Sequence, residues 1–190
     1  MEREPDFIDL ARFKVDAGFR GRSALVVQLW WLVQDWLIRP SPQFLYGWRR
    51  WWWRRFGAAL GQDVMIRATA RVQFPWKVTI GDRSWIGDHA ELYSLGPIRI
   101  GADSVISQHA YLCAGTHDHM ALDFPLVAKP VIVEDQAWVA AGAFIAPGVT
   151  VGRGSIVAAR SVVLADVPPA MIWGGNPARP LKRRPLPSRR

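Results

Sequence analysis

Few side chains in this 190-residue sequence suit acid–base or nucleophilic work, and most of them gather between positions 109 and 119. Histidine occurs four times, at His89, His109, His117 and His119, and cysteine once, at Cys113. An imidazole exchanges a proton near neutral pH, so it can take the proton from a hydroxyl as that oxygen attacks a carbonyl. His117 is the candidate for that role, and Asp118 beside it either orients the ring or shapes a turn. Cys113 invites a thiol nucleophile, but a lone cysteine is commonly a small buried hydrophobe. A metal site is the third reading. His117 and His119 stand two apart, and His89 and His109 each follow an isoleucine by three, at Ile86 and Ile106. That spacing makes a stacked ladder rather than a clear three-histidine ligand set, so no metal is expected.

The element that must hold His117 is a repeat. Aliphatic residues recur every six positions in blocks of eighteen: Leu60, Ile66 and Val72; Ile80, Ile86 and Leu92; Ile100, Ile106 and Leu112; Val133, Val139 and Ile145; Val151, Val157 and Val163. A period of six fits neither an α-helix nor a plain strand. It fits a short strand and a corner, three to a turn, which describes a triangular parallel β-helix of about five coils whose apolar residues stack along the axis. Gly61, Gly81, Gly87, Gly101 and Gly152 follow an aliphatic directly, where a corner is expected to need permissive backbone. Small residues such as Ala70, Ser84, Ala90, Ser104, Ala110 and Ala143 follow four positions after it. Steps of eight between the first three blocks predict two-residue corner insertions near Trp76 and Lys77 and near Gly96 and Pro97. The longer gap from Leu112 to Val133 predicts a loop over 117–130, and long loops on rigid scaffolds tend to carry function.

The chain divides into an N-terminal helical, Trp/Arg-rich segment (1–59), the β-helix (60–168) and a basic C-terminal extension (169–190). The fold class is therefore all-β, with helices only at the start. One cysteine permits no internal disulfide, which suits a reducing cytoplasm. Residues 1–6 are acidic and polar, and the first apolar run, 24–31, leads to no small-residue cleavage site, so no secretory leader is expected.

The net charge of +8 is concentrated in two blocks: Arg49, Arg50, Arg54 and Arg55, and Lys182, Arg183, Arg184, Arg189 and Arg190. Such blocks are expected to meet anionic partners, among them lipid or cofactor phosphates. Nucleic acid is not expected, because no nucleic-acid module is present. The apolar stretch 24–38, broken by Gln28, Gln34 and Asp35, is shorter than a bilayer span and should end at Pro40. A second helix over 44–56 mixes Trp48, Trp51, Trp52 and Trp53 with the four arginines. Two expectations follow for these helices: a peripheral contact with the inner face of the plasma membrane, and a cap over the open end of the β-helix.

Several motifs together resemble the hexapeptide-repeat acyltransferases and, among them, the colanic acid biosynthesis O-acetyltransferases. They are Arg39-Pro40-Ser41-Pro42, Gly115-Thr116-His117-Asp118, Ala137-Trp138-Val139-Ala140-Ala141, Pro147-Gly148-Val149-Thr150-Val151-Gly152 and Gly175-Asn176-Pro177-Ala178. The resemblance implies a left-handed coil and a homotrimer with sites between protomers. It also implies transfer of acetyl from acetyl-CoA to a hydroxyl of a sugar or lipid-linked oligosaccharide in exopolysaccharide synthesis, with His117 as general base. From the residues themselves, Asp118, His89 and Glu91 are expected to orient the base or touch the acceptor. By the resemblance Trp138, Ala141 and Ala159 would line the pantetheine groove, and Arg179, Lys182 and Arg183 would meet the phosphates. Relatives often carry a basic residue where this chain has Ala165. Two other classes remain open on the sequence: a noncatalytic trimeric scaffold that docks through its helices and tail, and a metal-dependent enzyme of the carbonic anhydrase type.

Overall fold

A computed structural model describes residues 7–16 and 18–186; the acidic residues 1–6 and the tail residues Arg189 and Arg190 lie outside the described residues. From residue 59 onward the chain winds as a left-handed parallel β-helix. Coil one holds β1 (Ala59–Leu60), β2 (Met65–Ile66) and β3 (Arg71–Val72). Coil two holds β4 (Val78–Ile80), β5 (Trp85–Ile86) and β6 (Glu91–Tyr93), and coil three β7 (Ile98–Ile100), β8 (Val105–Ile106) and β9 (Tyr111–Cys113). A hairpin of β10 (Gly115–His117) and β11 (Leu126–Ala128) interrupts the winding. Coil four follows with β12 (Val131–Val133), β13 (Trp138–Val139) and β14 (Phe144–Ile145), and coil five with β15 (Thr150–Val151), β16 (Ile156–Val157) and β17 (Val162–Val163). A sixth coil begins at Val167, which bridges to Val151, and continues into β18 (Met171–Gly175), which pairs with β16 and folds back as β19 (Ala178–Arg183).

The first strands of successive coils form sheet A, the second sheet B and the third sheet C, all pairing in parallel from coil to coil. The hexad aliphatics point inward. Ile66, Ile86, Ile106 and Val139 stack on sheet B, Val72, Leu92, Leu112 and Ile145 on sheet C, and all are buried. Of the fifteen hexad positions only Leu60, at the open end, is half-buried.

The corners correct one expectation. None of Gly61, Gly81, Gly87, Gly101 and Gly152 adopts the left-handed conformation. The residues that do so lie two positions further on, at Asp63, Arg83, His89, Asp103 and Gly154. The glycines are needed for proximity instead. A Cβ on Gly81 would sit 2.5 Å from the Ala102 nitrogen, and one on Gly87 would sit 2.6 Å from the Gln108 nitrogen. The next coil's backbone occupies the space a side chain would fill.

The insertions all fall on the edge between sheets C and A: a 3-10 turn at Pro75–Lys77, the bend before Ile98, and the hairpin. A second apolar cluster grows there, with Val27, Phe74 and Leu95 at its centre and Phe19, Trp76, Tyr93 and Leu126 around it. Lys77 ties the N-terminal segment to this edge by donating to the carbonyls of Phe19 and Leu95. Burial pushes its ammonium below the ordinary lysine pKa.

Before the prism, α1 (Ala24–Val33) starts at Ser23, whose hydroxyl accepts from the Val26 N–H, and runs into a π-helical turn at Gln34–Ile38 that ends before Pro40. Helix α2 (Tyr46–Arg55) follows the Pro-Ser-Pro break. Both lie over the first coil, where Trp30 and Trp53 are fully buried and meet edge to face at 6.4 Å.

The arginine block does not behave as its charge suggests. In the prism, backbone groups point alternately to the coil before and the coil after, so those of the first coil that point away from the stack, the carbonyls of Leu60, Val64, Ile66 and Val72 among them, have no coil to meet them. Cap side chains do so: Arg54 donates to Leu60, Arg50 to Val64, Arg49 to Ile66 and the Trp30 indole to Val72. Three of the four block arginines therefore bind backbone carbonyls at the end of the stack, and Arg49 does so out of reach of water, where a carbonyl most needs a donor.

Candidate active site

The hairpin on the C–A edge explains why His117 is held in one pose. His117 closes β10 opposite Leu126, and the tip between them is pinned by the Asp118 N–H donating to the Pro125 carbonyl. The His117 Nδ1 lies 2.7 Å from the Phe124 carbonyl oxygen. A carbonyl only accepts, so Nδ1 carries the proton and Nε2 keeps a free lone pair. The Phe124 ring stacks on the imidazole at 4.2 Å and 8°. Phe124 itself has φ +48°, a left-handed conformation costly for a bulky residue, so the hairpin holds strain to bring ring and carbonyl to bear together. Phe13, from the N-terminal segment, lies 5.8 Å from the half-buried imidazole, tilted by 47°. That segment is attached to the hairpin by the Asp9 N–H, which donates to the Leu122 carbonyl.

Phe124 and Phe13 were not visible as site residues in the sequence. A phenylalanine before a proline gives no signal of a left-handed turn, and nothing in the spacing links position 13 to position 117.

Asp118 takes the turn role: its carboxylate accepts from the Met120 N–H, and the Phe124 carbonyl is what holds Nδ1. Cys113 points its thiol to the Gly115 carbonyl at 3.1 Å, and burial raises its pKa, which leaves little thiolate to act as a nucleophile.

His89 and His109 stack at 4.9 Å and 9° on the B–C corner. Glu91 lies on the outer side of sheet C beside Arg71 and Gln73, and faces Tyr111 in register. Neither His89 nor Glu91 contacts His117. Among the described residues, no three His, Cys, Asp or Glu side chains come close enough to share a metal ion.

Trp138 lies on sheet B, and Ala141 and Ala159 lie at the adjoining B–C corner. Trp138 stands on the outer face of sheet B in register with Val105, donating from its indole to the Ser107 hydroxyl at 2.8 Å. It borders an apolar groove of about 760 Å³, lined also by Trp85, Val105 and His109. At the adjoining corner the Arg160 N–H donates to the Ala141 carbonyl, so Ala141 and Ala159 lie in successive coils on the same edge. Where coils two and three present the ladder of His89 and His109, coil four presents Gly142 in the same left-handed conformation. The corner is thus bare backbone beside an exposed indole, a shape open to a chain carrying amides. Arg179, Lys182 and Arg183 are exposed on β19, three strands from Trp138 in the same sheet, or about 14 Å at ordinary strand spacing.

His117 does not join them. It leaves the prism at the C–A edge, whereas Trp138, Ala141 and Ala159 line the B side and the B–C edge. Within one chain His117 is therefore separated from Trp138, Ala141 and Ala159 by the width of sheet C.

Residues 130–165 match the family model described as the hexapeptide repeat of succinyl-transferase. Along 176 residues the chain is 48% identical to WcaF of Escherichia coli strain K12, a protein named as a colanic acid biosynthesis acetyltransferase, covering 93% of this chain and 97% of that one. Among solved structures it resembles a hexapeptide-repeat containing acetyltransferase from Vibrio cholerae, at TM-score 0.79 and 25% identity, covering 93% of this chain and 98% of the other. The Vibrio cholerae O1 biovar eltor acetyltransferase solved with acetyl coenzyme A matches at TM-score 0.78 and 27% identity, covering 87% and 92%.

Proposed function

The chain belongs to the hexapeptide-repeat acetyltransferases, and from that premise we propose that it moves acetyl from acetyl-CoA to a sugar hydroxyl in exopolysaccharide synthesis, with His117 as the general base. The observation that carries this reading is the His117 tautomer. A proton fixed on Nδ1 by the Phe124 carbonyl leaves Nε2 as the acceptor, which is what removing a hydroxyl proton requires.

In the proposed step the hydroxyl oxygen attacks the thioester carbonyl carbon while Nε2 takes its proton. The tetrahedral intermediate then breaks its C–S bond, and the imidazolium returns the proton to the departing CoA sulfur. The Nδ1–H to Phe124 contact persists in both states of the ring, so the imidazole keeps one orientation through the cycle. Direct transfer suits a base with no thiolate partner: Cys113 is held as a thiol by burial, and no acyl-enzyme is needed.

The separation of His117 from Trp138, Ala141 and Ala159 supports an assembly as part of this reading. In a homotrimer the C–A edge of one protomer would meet the B–C edge of the next, bringing His117 to the groove beside Trp138, Ala141 and Ala159. Those small residues would let backbone amides approach the pantetheine arm, and Arg179, Lys182 and Arg183 would meet the phosphates. The acceptor is taken to be a sugar or a lipid-linked oligosaccharide. A single thiol without a disulfide fits work in the cytoplasm.

The experiment is CoA release from acetyl-CoA against a panel of nucleotide sugars and lipid-linked oligosaccharides. His117→Ala should lower the rate by about 10²–10⁴-fold and leave the unfolding midpoint in place. A rate near wild type would remove the base from this reading. The shared site has its own test. Mixed assemblies of His117→Ala and Trp138→Ala chains should regain activity that neither variant shows alone, because some interfaces then carry both intact halves. No recovery after subunit exchange would place the site within one chain.

A further inference from the structure

The cap has two faces, and only the inner one is accounted for by the prism. Along α1 and the turn after it, Leu25, Leu29, Leu32 and Trp36 fall at i, i+4, i+7 and i+11, one stripe of a helix. All four are exposed, Leu25 at 79% and Trp36 at 74%. On α2, Trp48 and Trp51 stack on each other at 6.1 Å and are exposed as well. Between the helices lies a groove of about 560 Å³, lined by apolar side chains including Trp52, with Arg22 and Arg55 at its rim. The Trp52 Nε1 is buried without a hydrogen-bond partner among the described residues. Unlike Arg49, Arg50 and Arg54, the exposed Arg22 and Arg55 meet no carboxylate or carbonyl among the described residues.

We propose that this outer face is a docking surface for an anionic lipid bilayer, the stripe of α1 and the paired tryptophans of α2 entering the headgroup boundary while Arg22 and Arg55 meet lipid phosphates. Leucine and tryptophan on one side with arginine at the rim is the composition of a segment lying in the interface plane. Charge argues for this occupant over the alternatives. A second copy would set arginines against arginines, and a nucleic acid has no use for a leucine stripe. No helix among the described residues is long and apolar enough to cross a membrane, so contact is confined to the surface. The proposal stands apart from the acetyl-transfer reading, since docking needs neither His117 nor a groove for acetyl-CoA.

Flotation of the intact protein with vesicles tests it. At low salt it should rise with vesicles of mixed phosphatidylglycerol and phosphatidylcholine, and remain at the bottom with phosphatidylcholine alone. The combined variant Leu25→Ser, Leu32→Ser and Trp36→Ser alters only exposed side chains. It should keep its urea midpoint and its CoA-release rate on soluble acceptors, while vesicle affinity falls about tenfold or more. Arg22→Glu and Arg55→Glu should each cost about fivefold or more on anionic vesicles. The proposal is overturned if the wild-type protein stays at the bottom with anionic vesicles, or floats equally with neutral ones. It is also overturned if the leucine variant changes assembly size in light scattering, because the face is then a contact between copies.

Discussion

In the prism, a backbone group left open by one coil is met by the corresponding group of the next: Arg71 N–H finds Ala90, Gln73 N–H finds Leu92, and the pattern repeats to the sixth coil. Over the first coil there is no next coil, and the same groups are met by side chains that occur once each. Gln34 accepts from the Val72 N–H, the Trp30 indole donates to the Val72 carbonyl, and Arg49 reaches Ile66 from inside the cap. A stack of coils is stabilised by redundancy, so that no single contact is unique. Its end is stabilised by unique contacts, so that each has no substitute. The two regions should therefore respond differently to the same kind of damage.

The largest effect is expected at Arg49. Its side chain is fully buried, it donates to Ile66, Pro42, Gln43 and the Ser41 hydroxyl, and burial lowers its pKa by more than nearby Tyr46 and Asp88 raise it. Arg49→Ala leaves the Ile66 and Gln43 carbonyls without their side-chain donor and a cavity beside Tyr46, and should cost about 3–5 kcal/mol in urea unfolding. Lysine cannot reach several directions at once, so Arg49→Lys should recover less than half of the loss. If both variants unfold like wild type, the cap is not what closes the prism.

Next comes the prism's own constraint. Gly81→Ala forces a Cβ against the Ala102 backbone and should cost about 1–3 kcal/mol. Gly87 meets the backbone of Ser107 and Gln108 in the same way, so Gly87→Ala should cost the same within error. Unequal costs would mean that the corners are not interchangeable.

How much of this was legible in the sequence follows the same division. The hexad spacing is imposed on every coil by a triangular cross-section, so Ile86, Ile106 and Val139 announce one another, and the steps of eight and twenty-one announce the edge where chain is inserted. The cap gives no such echo. Arg49 meets Ile66 across 17 positions and Trp30 meets Val72 across 42, and neither contact has a second instance from which to infer it. Net charge pointed the arginine block toward anions because composition counts charges and cannot see carbonyls. His117 was legible through its motif, but its orienting partner was not. A side-chain carboxylate at position 118 is conspicuous in a sequence, whereas the carbonyl of Phe124 is a property of a turn that every residue type shares until φ is known. The corner glycines were found for the wrong reason: the column is real, and its cause is the neighbouring coil.

The smallest effects sharpen the comparison most, because they remove the same thing from both regions. Trp30→Phe keeps an aromatic ring among Trp53 and Phe56 and deletes one donor to a buried carbonyl. Ser104→Ala also deletes one donor to a backbone carbonyl, that of Glu134 in the coil above. If hydrogen bonds were interchangeable, each would cost about 1 kcal/mol. The prism argues otherwise for Ser104, because the equivalent place in the coil above is Ala137, buried without any hydroxyl, and the coils still pair. Ser104→Ala should therefore cost less than about 1 kcal/mol and Trp30→Phe about 2 kcal/mol, the latter because the Val72 carbonyl has only solvent-free cap around it and no coil to turn to. Equal costs in urea unfolding would show that redundancy within the stack confers nothing beyond the bonds themselves.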